Sequence, residues 1–156
     1  MVDPATLTVS VQESDFDAAQ LQRALLSGTN TEGAVATFTG YVRKHNLEQA
    51  VNTLTLEHYP GMTERALTDI LEQARARWPL QGGRIIHRYG PLEPGDRIVL
   101  VLTASRHREA AFEAAAFLMD YLKTKAPFWK KEAGAHGAEW VDAREADDMA
   151  TARWDS

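Results

Sequence analysis

The 156-residue sequence contains no cysteine. This absence excludes disulfides, cysteine-ligated zinc, iron–sulfur clusters held by cysteine, and any cysteine nucleophile. No stretch approaches the ~18 apolar residues that a membrane-spanning helix needs. Residues 1–6 contain no basic segment followed by an apolar run, which a secretory signal peptide would require. We therefore expect a cytoplasmic protein.

Basic residues are the minority, since 17 Lys+Arg stand against 22 Asp+Glu and give a net charge of −5. An acidic chain is a poor candidate for wrapping nucleic acid or coating an anionic membrane. The sequence also lacks glycine-rich phosphate loops, the GxSxG nucleophile elbow and the HExxH zinc motif. The five histidines show no spacing typical of metal ligands, so we predict no metal and no cofactor.

The chain has the length of one domain and an ordinary composition, with 44% hydrophobic and 25% charged residues. No internal repeat, low-complexity tract or long linker interrupts it. We therefore predict a single domain over residues 1–156, with loose termini at residues 1–5 and 155–156.

Hydrophobic periodicity predicts an α+β domain with a mostly antiparallel sheet and about three helices. Strands are predicted at residues 7–11, 33–42, 53–59, 84–89, 97–103, 128–132 and 139–142. Helices are predicted at about residues 16–25, 63–78 and 107–124. Ser14 or Asp15 is the expected N-cap of the first helix, and Ser105 that of the third. The predicted apolar face of the third helix comprises Phe112, Ala115, Ala116, Met119 and Leu122.

A basic segment, Arg106-His107-Arg108, lies where a predicted strand meets the third helix. A helix N-terminus carries partial positive charge, so cations there cost roughly 0.3–1 kcal/mol each. A bound anion would compensate, because the free N–H groups of the first turn and the cations would converge on it. Alternatively, the three side chains extend into solvent or pair with acids such as Glu109 and Glu113.

Two further basic clusters lie at residues 123–132 and 41–46. In a strand at residues 128–132, Lys130 shares a face with Phe128 while Lys131 faces the other way, so we expect only one of the two lysines to be functional. A lysine that is desolvated near other cations becomes a base or nucleophile at neutral pH. If the three basic clusters converge, they form a pocket for a small phosphorylated or carboxylated ligand from Arg43, His45, Arg106, His107, Arg108, Lys123, Lys125 and Lys130.

The chain carries FTGYVRKHN at residues 38–46, LEHYPGM at 56–62, RHR at 106–108 and MDYLKTKAPFWKKE at 119–132. With these segments it resembles the large, catalytic subunit of molybdopterin synthase. The resemblance covers nearly the whole chain, from about residue 7 to residue 154. The block at residues 119–132 is long and specific, unlike a short motif.

The resemblance implies an α/β-hammerhead fold and a central homodimer. Each subunit would bind one small ubiquitin-like partner, which gives a heterotetramer. The partner's C-terminal Gly-Gly tail would carry a thiocarboxylate and insert into a pocket of the large subunit. Two sulfur transfers to cyclic pyranopterin monophosphate (precursor Z) would form the dithiolene of molybdopterin, a step of molybdenum cofactor biosynthesis.

The resemblance also implies roles for individual residues. Lys123 and Lys130 match the catalytic lysines, Lys123 as the contact for the tail terminus and Lys130 as the proton-transfer or electrostatic group. Arg144 matches a basic residue that reaches a pocket across the dimer interface. Tyr41 stands where some family members have a basic residue, so a backbone contact is expected there. The substrate-binding residues implied in total are Arg43, His107, Arg108, Lys131, Glu132, Arg144, Tyr41 and Val42.

Two other interpretations of the residues stay open. One is a non-catalytic docking module for a ubiquitin-like protein, although a docking groove needs apolar anchors and backbone pairing more than several cations. The other is a nucleotide- or phosphate-binding sensor, which would bind ordinary nucleotides tightly without a protein partner. Nucleic-acid binding ranks last because the net charge is negative.

Overall fold

The computed structural model describes residues 7–26, 28–44, 51–134, 137–141 and 145–155. The predicted α+β class with mostly antiparallel pairing is confirmed. Within the described ranges the chain forms, in order, β1 (Leu7–Gln12), α1 (Ala18–Leu25), β2 (Ala34–Tyr41), β3 (Val51–His58), α2 (Met62–Arg77), β4 (Leu80–Arg88), β5 (Gly90–Leu92), β6 (Arg97–Ser105), α3 (Arg108–Lys125), β7 (Phe128–Gly134), β8 (Gly137–Val141) and α4 (Glu145–Ala152).

The first sheet has the strand order β1-β4-β6-β2. β6 pairs antiparallel with both of its neighbours, whereas β1 and β4 are parallel. Residues 99–105 of β6 are all buried, because helices cover both faces of the strand. Val99 and Val101 pack with α2 and α3, while Leu100 and Leu102 pack on the side of α1. A continuous apolar run is what a strand buried on both faces requires.

The second sheet is antiparallel, with the order β5-β3-β7-β8. A small core joins it to the first sheet: Val42, directly after β2, packs with Leu54 of β3, Leu92 of β5 and Ile98 of β6. These contacts set the β3–β7 pair beside the end of the first sheet at which β2 ends and β6 begins.

The N-cap of α1 is Asp17, whose carboxylate accepts a hydrogen bond from the N–H of Gln20 at 3.2 Å. The prediction of Ser14 or Asp15 at this position was wrong. The carboxylate of Asp15 instead binds the guanidinium of Arg97 at 2.6 Å. The helix therefore begins two residues later than the sequence pattern indicated.

The N-terminus of α3 also differs from the prediction. Ser105 is the last residue of β6, and its hydroxyl donates to the carbonyl oxygen of Pro79 at 2.9 Å. His107 occupies the N-cap position and makes no side-chain capping hydrogen bond. The helix start therefore keeps free N–H groups, because the serine that could have capped it is used elsewhere.

The predicted apolar face of α3 was only partly right. Phe112 is 65% exposed, whereas Ala115 and Leu122 are buried. The alanines at positions 110, 111 and 114–116 reduce the contrast of the pattern, so the large side chain of Phe112 biased the predicted register. The buried stripe comprises Ala111, Ala114, Ala115, Phe117, Leu118, Tyr121 and Leu122.

Two short elements, β5 and α4, were not predicted. β5 forms because Leu92 pairs with Leu54 of the neighbouring strand. The C-terminal segment that follows α4 is held on α3, since the indole N–H of Trp154 donates to the carboxylate of Asp120 at 2.6 Å. Both depend on tertiary contacts rather than on local pattern, and α4 makes four helices in the described ranges where about three were expected.

No helix in the described ranges is long and apolar enough to cross a membrane. The single domain over residues 1–156 stays a prediction, and its proposed loose end at residues 1–5 lies outside the described residues.

Candidate active site

Helix α3 separates two of the basic clusters within one chain. Arg108 begins the helix and Lys123 lies in its last turn. At 1.5 Å per residue, the two positions are about 22 Å apart along the helix axis. A small ligand bound within one chain therefore contacts the cluster at residues 106–108 or the cluster at Lys123, but not both.

The end of α3 that carries Lys123 is also the end at which β2 finishes. Tyr41, the last residue of β2, pairs with Arg97 at the start of β6, and Arg43 follows two positions later. The side chains of Tyr41, Arg43 and Lys123 are all exposed. Two of the three predicted clusters thus lie at the same end of the first sheet.

Val42 is buried, unlike its two neighbours. Its N–H donates to the carbonyl oxygen of Asp96 at 2.9 Å, and its own carbonyl accepts from the N–H of Gly95 at 2.8 Å. The second lone pair of that carbonyl oxygen is what Val42 can still offer to a ligand. The backbone contact expected at Tyr41 and Val42 stays a prediction.

Lys130 lies on the inner face of the second sheet. β3 and β7 pair so that Leu56 is opposite Lys130 and His58 is opposite Phe128. Directly opposed residues in an antiparallel pair point to the same face, as do positions i and i+2 of one strand. All four side chains therefore share one face. Leu56 is buried and Lys130 is half-buried, so this face is turned toward the protein interior.

Four other predicted site residues are not tested by the geometry. Lys131 and Glu132 belong to β7, but their side chains lie outside the described residues. Arg144 lies outside them entirely, as does His45.

His87 lies at the junction of α3 and β7, near both predicted catalytic lysines. It is buried, and its ring stacks on Phe128 with centroids 3.8 Å apart. Burial lowers the pKa of His87 to about 4, and the hydrogen bond to the carbonyl of Arg88 opposes this shift only in part. The positive charges of Lys123 and Lys130 lower the same pKa further. Both lysines therefore act on one neutral imidazole at the junction of α3 and β7.

His58 belongs to the same cluster. Its ring lies 4.5 Å from that of Tyr89 and 5.9 Å from that of Phe128. In the sequence, His58 and His87 alternate with apolar residues of their strands, a pattern typical of structural or surface groups. This alternation does not indicate a functional role, because the contact between β4 and β7 cannot be seen in the local sequence pattern.

The other end of α3 forms an open pocket of about 700 Å³, lined by Gly33, Arg106, His107, Arg108, Glu109 and Phe112. Free N–H groups of the helix start and two guanidinium groups are the donors that an anion needs. Glu113, one of the acids considered as a partner for these arginines, instead accepts a hydrogen bond from the indole of Trp78 at 2.8 Å. The pocket is therefore suited to a phosphate or carboxylate.

Among the residues that the structure describes, neither end of α3 has the donor set of a metal site. Across the described ranges, no group of three or more His, Asp or Glu side chains is arranged to hold a metal ion. The predicted absence of a cofactor is not tested by this finding.

The fold and the two cationic ends define a class: an α+β protein of two four-stranded sheets whose cationic ends are suited to small anions. Residues 11–125 match the family model described as MoaE protein. The chain belongs to this family. The predicted family and the predicted enzyme class, a sulfur-transferring catalytic subunit of molybdopterin synthase, are thereby confirmed.

Curated relatives are similar over most of the chain. The molybdopterin synthase catalytic subunit of Yersinia pestis is 60% identical over 129 residues, which are 83% of this chain and 85% of that protein. The subunit of the same name from Escherichia coli (strain K12) is also 60% identical over 129 residues, 83% of this chain and 86% of its own length.

Solved structures share the fold. The molybdopterin biosynthesis MoaE protein from Burkholderia ambifaria MC40-6 superposes with a TM-score of 0.82 at 48% identity, covering 96% of this chain and 99% of that one. A complex of subunits 1 and 2 of molybdopterin-converting factor from Helicobacter pylori 26695 has a TM-score of 0.71 at 19% identity, over 87% of this chain and 91% of that one. The latter likeness concerns the fold alone.

Proposed function

We propose that this chain moves sulfur from the thiocarboxylated C-terminus of a small ubiquitin-like subunit to cyclic pyranopterin monophosphate, and so forms the dithiolene of molybdopterin. Membership of the MoaE family and 60% identity to subunits named for this synthase support the proposal. The observation that carries it is the arrangement at the junction of α3 and β7: Lys123 lies in the last turn of α3, and Lys130 lies on the face of β7 whose Phe128 stacks on the buried His87. We predict that the reaction takes place in the cytoplasm.

The chain has no thiol of its own, so the sulfur must arrive on another molecule. A partner tail that ends in a thiocarboxylate brings both sulfur and negative charge. Lys123, which is exposed at the end of α3, is suited to contact that terminus and to stabilise the charge that develops during transfer. Lys130, which is half-buried, is suited to proton transfer or to electrostatic stabilisation.

One site must bind both the phosphate of the substrate and the tail of the small subunit. The length of α3 limits which basic residues of one chain can take part. Arg108 and Lys123 are about 22 Å apart in one chain. We therefore propose a site shared across a homodimer, in which His107 and Arg108 of one subunit face Lys123 and Lys130 of the other. In a two-fold dimer the same arrangement occurs twice. Arg144 would reach a pocket in the same manner, from the opposite subunit.

A reconstitution assay tests this function. The chain is mixed with thiocarboxylated small subunit and precursor Z, and the dithiolene product is measured. A small subunit that ends in an ordinary carboxylate is the matched control and should yield no product. Binding of the thiocarboxylated subunit without product would favour the docking-module interpretation, and tight binding of ordinary nucleotides by calorimetry would favour the sensor.

A further inference from the structure

His58 and Lys130 lie diagonally across the β3–β7 pair on the same face. Leu56 is opposite Lys130, and His58 is opposite Phe128. Diagonal neighbours of this kind have their backbones about 7–8 Å apart, which is within reach of a long side chain. The half-buried Lys130 can therefore bring its ammonium group to the His58 ring without any change of backbone.

The hydrogen bonds of Thr63 favour one tautomer of His58. The Thr63 hydroxyl donates its only hydrogen to the carbonyl oxygen of Tyr59 at 2.9 Å. With that hydrogen in use, its contact with Nδ1 of His58 at 3.0 Å takes a hydrogen carried by Nδ1. In the neutral ring, the lone pair is then on Nε2.

The position of the His58 ring is also well defined. Thr63 is fully buried in the first turn of α2. The hydroxyl that contacts Nδ1 is therefore held in place and shielded from solvent. Tyr89 and Phe128 contact the ring at centroid distances of 4.5 and 5.9 Å. A ring held on two sides and anchored at Nδ1 presents Nε2 in one orientation, as a group that orients a neighbour requires.

We propose that His58 is a positioning residue, whose Nε2 accepts a hydrogen bond from the ammonium of Lys130 and holds that lysine in place for sulfur transfer. The inference rests on the proposed function, since it assigns His58 a role through a lysine of that site. It requires no proton to leave His58, so an uncharged acceptor of similar reach can replace the imidazole.

Two substitutions distinguish the hydrogen-bonding roles of the two ring nitrogens. His58→Asn keeps an N–H near the position of Nδ1 for Thr63 but removes the acceptor at Nε2. His58→Gln places an amide oxygen near the position of Nε2. We expect His58→Asn to lower kcat about 10- to 100-fold with little change in the KM for precursor Z, and His58→Gln to recover most of that loss. Glu57→Gln, on the exposed opposite face of β3, is the matched control and should retain wild-type kcat.

A kcat of His58→Asn equal to wild type would overturn the proposal, and so would an equal loss in His58→Gln. If His58→Asn fails to fold, ¹⁵N NMR of the intact His58 ring provides the test. The chemical shift of Nε2 should differ between wild type and Lys130→Ala. An unchanged shift would refute the contact. Failure of the proposed function looks different, because the wild-type chain would then give no product with thiocarboxylated partner.

Discussion

The ring of His87 stacks on the ring of Phe128 with centroids 3.8 Å apart and planes inclined by 20°. His87 belongs to β4 of the first sheet, and Phe128 begins β7 of the second. The stacked pair therefore fixes the position of β7 relative to the first sheet, two residues before Lys130. Because the ring is buried and neutral, it adds no third positive charge beside the two lysines.

The buried His87 makes stability depend on pH. Its pKa is about 4 in the folded protein, against 6.5 for the free side chain. The unfolded chain therefore takes up a proton at a higher pH than the folded chain, and stability is lost as the pH falls from about 6.5 to about 4. The difference in pKa corresponds to about 3 kcal/mol.

Urea unfolding of wild type and His87→Leu between pH 7 and pH 4 measures this contribution. The leucine variant is expected to be less stable at pH 7, because it loses the stacking and the hydrogen bond to Arg88. The gap between the two proteins should narrow by about 3 kcal/mol as the pH falls. Parallel curves for the two proteins would show that His87 does not titrate in this range.

Replacement of either predicted catalytic lysine should abolish most turnover without preventing partner binding. We expect Lys123→Ala and Lys130→Ala each to lower kcat by about 100-fold or more, because each removes a positive charge placed where charge or protons move. Arg65→Ala, which removes an exposed cation of α2 outside the three basic clusters, is the control and should stay near wild type. Near-normal turnover in either variant would remove that lysine from the mechanism.

Local pattern predicted the parts of the fold that depend on neighbouring residues. The third helix was expected at residues 107–124 and occurs at Arg108–Lys125, because Pro127 stops it. The shared face of Phe128 and Lys130 followed from strand alternation alone. The separation of Arg108 from Lys123 was also contained in the predicted helix length, and it is what argues for two subunits at one site.

The remaining features depend on contacts between distant segments. Asp15 has the side chain of an N-cap, but its carboxylate binds Arg97, which lies 82 positions away in the sequence. His58 and His87 joined the site only because β3, β4 and β7 meet. No periodicity in one strand reports which other strand it will face, so these residues could not be assigned from the sequence.

Asp120 anchors the C-terminal segment to α3. Its carboxylate accepts from the indole of Trp154 at 2.6 Å and pairs with Arg153 at 2.8 Å. We expect Asp120→Ala to lower the free energy of unfolding by about 1–3 kcal/mol, because a partly buried indole N–H then loses its acceptor. Asp120→Asn keeps an acceptor and should cost less. Urea unfolding followed by tryptophan fluorescence measures both, and equal losses in the two variants would contradict this role.

The proposed sharing of the site between subunits can be tested by mixing inactive variants. If Arg108 and Lys123 of one site come from different subunits, a dimer of one Arg108→Ala chain and one Lys123→Ala chain has one intact site and one doubly altered site. Random mixing makes about half of the dimers mixed, so co-refolded chains should regain about a quarter of wild-type turnover. If both residues served one site from the same chain, every site in the mixture would lack one of them.

Lys123→Ala mixed with Lys130→Ala is the matched control for this experiment. Both lysines lie at the junction of α3 and β7 of the same chain, so they belong to one site, and no combination of these two variants restores it. Recovery in the first mixture and none in the second would place the cationic start of α3 opposite the lysines of the other subunit. Failure of the first mixture, with mixed dimers demonstrated by differently tagged chains, would instead require Arg108 to act outside the site that contains Lys123.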